Sequence, residues 1–322
     1  MLAAGARAQS APPVIRYATG GGFGSSEIET VIFDPAIPRS ALPRMGKEYE
    51  LRLTYTAGTP QAAALLAAGE ADMATLSCSA FAAGLIKDAF AGGLSVISDN
   101  YQDGVPDHAT NGFFVLDGAP IRTANDLRGK TVAVNAFGSA VDLVLRVYLK
   151  RNSIDPRRDL NMVEIGFPSI GTAIRQGRVD CGCLVLPFEA AEMNKGGLRA
   201  LFTSTEVLGP SSVIFNVARN EFLAQHPQAV RAFLADYVSG LAWLNDPANR
   251  KTVVSVMAGL TKLPADMLDS YVMSNKDYYR APDGRVEVEK IQKPIDALAD
   301  LGLLPRALPI AKYVDMSFLP KG

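Results

Sequence analysis

The chain has 322 residues, of which 48% are hydrophobic and 20% charged. That composition can bury a large core and excludes a disordered chain, and at roughly 150 residues per domain the length predicts about two domains. Lys and Arg number 32 against 33 Asp and Glu, for a net charge of -1, so bulk charge offers nothing to nucleic acid and no nucleic-acid partner is expected.

Residues 1–13 read as the remnant of an export signal followed by a lead-in. Ala6-Arg7-Ala8 has the A-x-A form of a cleavage site, which predicts a periplasmic protein whose signal peptide is largely removed. Val14 to Ala18 is a short strand, and a glycine-rich loop follows it. Ser26 and Glu29 then form a capping-box pair, which predicts a helix start. Leu51 to Tyr55 alternates as a strand should. Thr59 is the expected N-cap of the next helix, with Pro60 at its first position and Gly69 closing it. Asp72 to Leu76 is a strand that runs through Ser77-Cys78-Ser79 into another helix, and Leu94 to Ser98 is the next strand. The uncharged run from Met73 to Ile86 is too short to cross a bilayer. Strand, loop and helix in repetition predict an α/β domain with a parallel sheet.

The pattern restarts at Gly112 to Leu116, a strand that leaves the first sheet. Thr131 to Val134 is a strand, Asn135 to Ser139 a loop, and Ala140 to Arg151 a helix. Met162 to Ile165 and Val179 to Val185 are strands flanking a helix from Pro168 to Gln176. Val213 to Val217 can carry the chain back, and from Pro227 onward the pattern is mostly helical. Gly69-Glu70-Ala71-Asp72 matches Gly177-Arg178-Val179-Asp180. Both read as a helix stop, two residues, Asp, then a strand, and they support two similar lobes.

With these segments placed, the chain resembles the periplasmic substrate-binding proteins of the nitrate/sulfonate/taurine group of ABC importers, the NMT1-like proteins among them. The resemblance rests on Thr59-Pro60 through Ala74, on Asp126-Leu127-Arg128-Gly129-Lys130-Thr131-Val132-Ala133-Val134, on Gly138-Ser139, and on Gln176 to Asp180. It implies an α/β, type II periplasmic-binding-protein fold whose two lobes are joined by a hinge of two crossover segments. Lobe one would be residues 14–108 plus 217–322, and lobe two 112–212. It further implies a monomer that captures a small organic anion, a sulfonate or an aromatic or aliphatic carboxylate, and meets a membrane permease. The alternatives are a pyrimidine-precursor binder, an enzyme of the thiamin-pyrimidine branch, or a ligand-sensing domain.

In open α/β sheets the ligand sits beyond the carboxyl ends of the strands. Four loops here occupy such positions. The first offers Gly21, Gly22, Phe23 and Ser25, where glycines let backbone N–H groups approach a ligand. Ser25 stands where a third glycine of a dinucleotide fingerprint belongs, so no nucleotide cofactor is expected. The second is Ser77-Cys78-Ser79, and the third is Asn135, Phe137, Gly138 and Ser139. The fourth is Pro187, Phe188 and Glu189. Each serine is equally explained as a helix cap. Phe23, Phe137, Phe188 and Phe215 are candidates for a flat apolar wall, with Tyr101 in the crossover region. Ordinary core packing is their alternative. Asn216 can add an amide hydrogen bond.

The two histidines, His108 and His226, have no Ser or Cys partner at a recognisable spacing, and neither a nucleophile elbow nor a zinc-protease motif is present. Cys181 and Cys183 share one face of a strand and lack the second pair that a zinc site needs. They read, with Cys78, as buried apolar side chains. No metal, cofactor, catalytic residue or enzyme activity is expected.

Overall fold

The alternation of short apolar strands with helices is realised twice, in two five-stranded sheets. The computed structural model describes residues 11–21 and 27–321. The first sheet takes β1 (Val14–Thr19), β2 (Glu50–Tyr55), β3 (Met73–Ser77) and β4 (Leu94–Asp103), with α1 (Glu29–Ile32), α2 (Thr59–Ala67) and α3 (Cys78–Ile86) between them. The second takes β5 (Gly112–Leu116), β6 (Thr131–Val134), β7 (Asn161–Glu164), β8 (Cys181–Leu184) and β9 (Leu198–Thr203). Its helices are α4 (Ala140–Arg151), α5 (Phe167–Arg175), α6 (Phe188–Lys195) and α7 (Ser204–Leu208). β10 (Ser211–Arg219) returns to the first sheet. Then come α8 (Asn220–Gln225), α9 (Pro227–Asn245), α10 (Arg250–Thr261), α11 (Ala265–Asp269) and α12 (Val288–Asp300).

The strand orders are β2-β1-β3-β10-β4 and β7-β6-β8-β5-β9. Each sheet has three parallel strands and then one that runs antiparallel to both its neighbours. The repeated Gly-x-x-Asp tetrapeptide explains part of this symmetry. Gly69 and Gly177 end α2 and α5 at φ of +70° and +67°. The Asp72 N–H then donates to the Arg16 carbonyl at 2.8 Å, and the Asp180 N–H to the Thr131 carbonyl at 2.9 Å. In return the Arg16 N–H donates to Asp72 Oδ2 at 3.0 Å and the Thr131 N–H to Asp180 Oδ2 at 2.9 Å. One tetrapeptide thus pins β3 to β1 and β8 to β6.

Several expectations change in detail. β4 runs on to Asp103, past the expected end at Ser98, so Tyr101 lies within a strand. β10 begins at Ser211 and lies wholly in the first sheet. β9 has no alternation in sequence; it pairs with β5 as the last strand of its sheet. Gly58, not Thr59, precedes α2, and Pro60 sits in the first turn. Ser26 and the A-x-A site lie outside the described residues, and Ile28 precedes α1 without a side-chain cap. Cys78, Cys181 and Cys183 are free and buried.

The chain passes between the sheets at residues 104–111 and at Gly209-Pro210. Gly104 has φ of +73°, and a Cβ there would lie 2.2 Å from Thr205 Oγ1, so this exit from β4 needs glycine on both counts. The crossings are tied together. The Asn111 side-chain amide donates to Asp103 Oδ2 at 2.7 Å. The Ser204 N–H donates to the Asn111 carbonyl at 2.8 Å. Tyr278, far along the chain, donates its hydroxyl to Asn111 and stacks on Tyr101 with ring centres 4.4 Å apart.

Candidate functional site

Where the carboxyl ends of the two sheets face each other lies a cavity of 30 Å³. Gly20, Glu27 and Thr59 line it from the first sheet, with Tyr101 and Ile214 from β4 and β10. Asn135, Ser139, Ala140 and Val141 close it from the start of α4. Phe167 at the start of α5 and Val185 after β8 complete the wall. A larger groove of 480 Å³ beside Arg157 and Leu303 lies at the opposite end of α4, next to Lys150.

The first loop brings backbone close to side chains. A Cβ on Gly20 would lie 2.5 Å from Thr59 Cγ2, and one on Gly21 would lie 3.0 Å from Glu27 Oε2. Gly22, Phe23 and Ser25 lie outside the described residues. At the second loop, Ser77 Oγ accepts from the Ala80 N–H at 3.1 Å and from Thr59 Oγ1 at 2.8 Å. Ser77 is therefore a cap, and the Thr59 hydroxyl is directed to it. The Ser79 hydroxyl donates to the Gly138 carbonyl at 2.8 Å, a direct bond between the lobes. Cys78 is buried behind them, and burial pushes its thiol up to about 12.

At the third loop, Ser139 caps α4 by accepting from the Asp142 N–H, and its hydroxyl donates to Asn135 Oδ1 at 2.9 Å. The Gly138 N–H donates to Asp142 Oδ2 at 2.8 Å, and the Phe137 N–H to Glu164 Oε1. The Phe137 ring is 42% exposed and is not part of the cavity wall. At the fourth loop, Pro187 precedes α6 and Phe188 is buried at its start. Burial first, and then Asp103, push the Glu189 carboxyl up to about 8.

Two further candidates belong to the core. Phe215 packs edge-on against Phe81 at 5.4 Å. Asn216 is fully buried; its amide donates to Ser98 Oγ at 2.8 Å and accepts from the Tyr17 hydroxyl at 2.6 Å. Sequence reasoning missed Glu27, Phe167, Val185 and Ile214, and read Thr59 only as a helix cap. The strand-end rule that found the other loops reaches Phe167 too, since it follows β7 and opens α5. Glu27 carries no such signal. Among the described residues no group of three or more His, Cys, Asp or Glu could hold a metal ion, and no helix is long and apolar enough to cross a membrane.

Comparison with known proteins gives this geometry a lineage. A match to the NMT1-like family covers residues 36–258, well over half of the sequence, and the chain belongs to that family. Over 200 residues it is 23% identical to an Escherichia coli K12 protein named for binding aliphatic sulfonates, covering 62% of this chain and 61% of that one. Over 128 residues it is 28% identical to the nitrate/nitrite binding protein NrtA of Synechococcus elongatus, covering 39% of this chain and 28% of that protein. In both cases less than two thirds of the relative's length is matched. The crystal structure of the periplasmic aliphatic sulphonate binding protein SsuA from Escherichia coli superposes with a TM-score of 0.70 at 19% identity, over 94% of this chain and 92% of that one. The fold is the α/β type II fold of periplasmic binding proteins.

Proposed function

We propose that this chain is the extracytoplasmic solute-binding receptor of an ABC importer, closing its lobes on a small solute by hinge motion and handing it to a membrane permease. One observation carries the reading. A single cavity takes its walls from the carboxyl ends of both sheets and from β4 and β10, the strands that adjoin the crossings. Membership of the NMT1-like family supports it, as do relatives named for nitrate and for aliphatic sulfonates. A small anion, inorganic or organic, is the ligand class that those names suggest.

In this reading Thr59, Asn135 and Ser139 supply hydrogen bonds and Tyr101 and Phe167 supply flat apolar wall. The protein works as a periplasmic monomer without a cofactor. It binds and does not transform: burial raises all three thiols above their ordinary value, which disfavours the thiolate a nucleophile needs. The test is a thermal-shift screen against sulfonates, carboxylates, nitrate, amides and pyrimidines, with small-angle scattering on each hit. A ligand at 100 times its Kd adds about 2.7 kcal/mol, which for a chain of this length raises Tm by about 4 °C. A hit that also reduces the radius of gyration supports a closing receptor. No hit in any class overturns it.

A further inference from the structure

The cavity is small for a solute, and the space beside it shows where the rest of a solute can go. A volume of 30 Å³ takes about one water molecule, whereas sites for small organic molecules measure about 300–1,000 Å³. Phe167, at the start of α5, lines this cavity and also a second space, a groove of 200 Å³. Its ring is partly buried and packs against both hydrophobic clusters of the molecule. The groove draws on both lobes. Gly171 comes from α5, Ala191 and Glu192 from α6, and Thr261 and Leu263 from the turn after α10. By contrast, the groove beside Arg157 and Leu303 shares no lining residue with the cavity. Phe167 is thus a partition, one side chain thick, between the cavity and the α5–α6 groove.

The charged groups of this groove are already paired within the chain. Glu192 is buried and accepts from Arg175 Nε at 2.6 Å and from Lys195 Nζ at 2.7 Å. Lys195, the cation in the groove wall, is thereby neutralised. Gly171 makes room for the pair: a Cβ there would lie 2.5 Å from Glu192 Cγ and Cδ, and a side chain would push the carboxylate stem out into the groove. The Thr261 hydroxyl donates to the Met257 carbonyl at 2.7 Å and accepts from the Leu263 N–H at 3.3 Å. Lys262 takes φ of +60° between them, and the turn places Leu263 in the wall. The surface left to meet a ligand is chiefly that of Phe167, Ala191 and Leu263, which favours hydrocarbon over a charged group.

We propose that the α5–α6 groove is a second compartment of the binding site, holding an uncharged hydrocarbon portion of the solute whose polar head sits in the cavity, and that Ala191 and Leu263 set how large that portion can be. The inference rests on the receptor reading. The test is calorimetry on the full chain with the methyl-to-octyl series of alkanesulfonates, alkanoates and primary amides, and with the same alkyl groups on any other head group that the solute screen returns. In the series that binds, Kd is expected to fall about fourfold for each methylene from propyl to pentyl, the scale of one buried CH₂, and then to level off. Ala191→Phe fills the groove and should cancel the gain of the pentyl member while leaving the methyl member within about twofold, well under the effect of one such CH₂. Leu263→Ala, which removes wall from the other lobe, should weaken the pentyl member and spare the methyl member. A Kd that is flat or rises with chain length, or a solute that binds while every alkyl series fails, overturns this inference and leaves the receptor intact. A gain with chain length that survives unchanged in both variants puts the hydrocarbon elsewhere and overturns the assignment to this groove. No binding by any series, alongside a flat solute screen, overturns both.

Discussion

The two lobes solve the same local problem with unequal means. In both, a Gly-x-x-Asp turn drops a helix into a buried strand and pins it to the strand beside it. In the first lobe the Asp72 carboxylate also takes the Arg16 guanidinium, whose Nε lies 2.9 Å from Oδ2, and the Asp72 side chain is 6% exposed. In the second, Asp180 has only Lys130 at 3.9 Å and is 39% exposed. The strands that follow differ in the opposite sense. Ala74 fits its place on β3, whereas a Cβ on the equivalent Gly182 of β8 would lie 2.5 Å from Ile170 Cγ2. At this turn the first lobe is held by a charged clamp on a buried carboxylate, and the second by close apolar packing. Equal topology therefore does not imply equal sources of stability.

Asp72→Ala strands a partly buried guanidinium and should cost about 3 kcal/mol, and Asp180→Ala about 1 kcal/mol or less. Urea titrations of both variants measure the difference, and equal costs break the comparison. Gly182→Ala should cost about 2 kcal/mol through overpacking against Ile170. Truncation of Ile170 to Ala in the same chain should recover part of that loss, which calorimetry would show as a partial return of Tm. Third, Glu189 sharpens the contrast through pH. Its native pKa of about 8 stands above the ordinary 4.5, so the folded state keeps a proton that the unfolded state releases between those values. Its contribution is full below pH 4.5 and is lost as pH rises to 8. Glu189→Gln should flatten the stability curve across that window by up to about 1.4 kcal/mol per pH unit. Asp99 and Asp103, each pushed up to about 6 by burial, keep their own fall between pH 4 and 6 in the variant. A curve of unchanged slope above pH 6 contradicts the Glu189 assignment. A similarly small effect belongs to Ser79→Ala. It removes one inter-lobe hydrogen bond, worth about 1 kcal/mol, and should raise the mean radius of gyration seen by scattering without lowering Tm by more than a few degrees.

Much of this fold is legible in the sequence because its elements are local. Ser139 sits before a helix with its apolar positions on one face, and it caps that helix. Ser77 follows an apolar strand and caps the helix after it. Gly69 and Gly177 stop helices where left-handed backbone is needed. The cleft is less legible, because its walls come from residues far apart in sequence. Asn216 looks like an available amide at a crossover, yet it is satisfied on both sides by Ser98 and Tyr17. Those partners could be found only through strand pairing. Tyr278 lies in a segment without periodicity, and its role beside Asn111 and Tyr101 depends on how the C-terminal chain returns. Glu27 has no motif around it; its position beside Gly21 emerges only in the structure.

The place of β10 has a consequence for how the protein is made. The second sheet is contiguous in sequence and has all its strands once Thr203 has been synthesised. The first has β1 to β4 by Asp103 and then waits for Ser211 to Arg219, which lie between β3 and β4. Until that segment emerges and inserts, two apolar strand edges stand bare, and bare edges pair with other chains. The order of the chain therefore favours completion of the second lobe first, with the first lobe sealed around its returning strand. The interval between them is where a nascent chain most needs a chaperone.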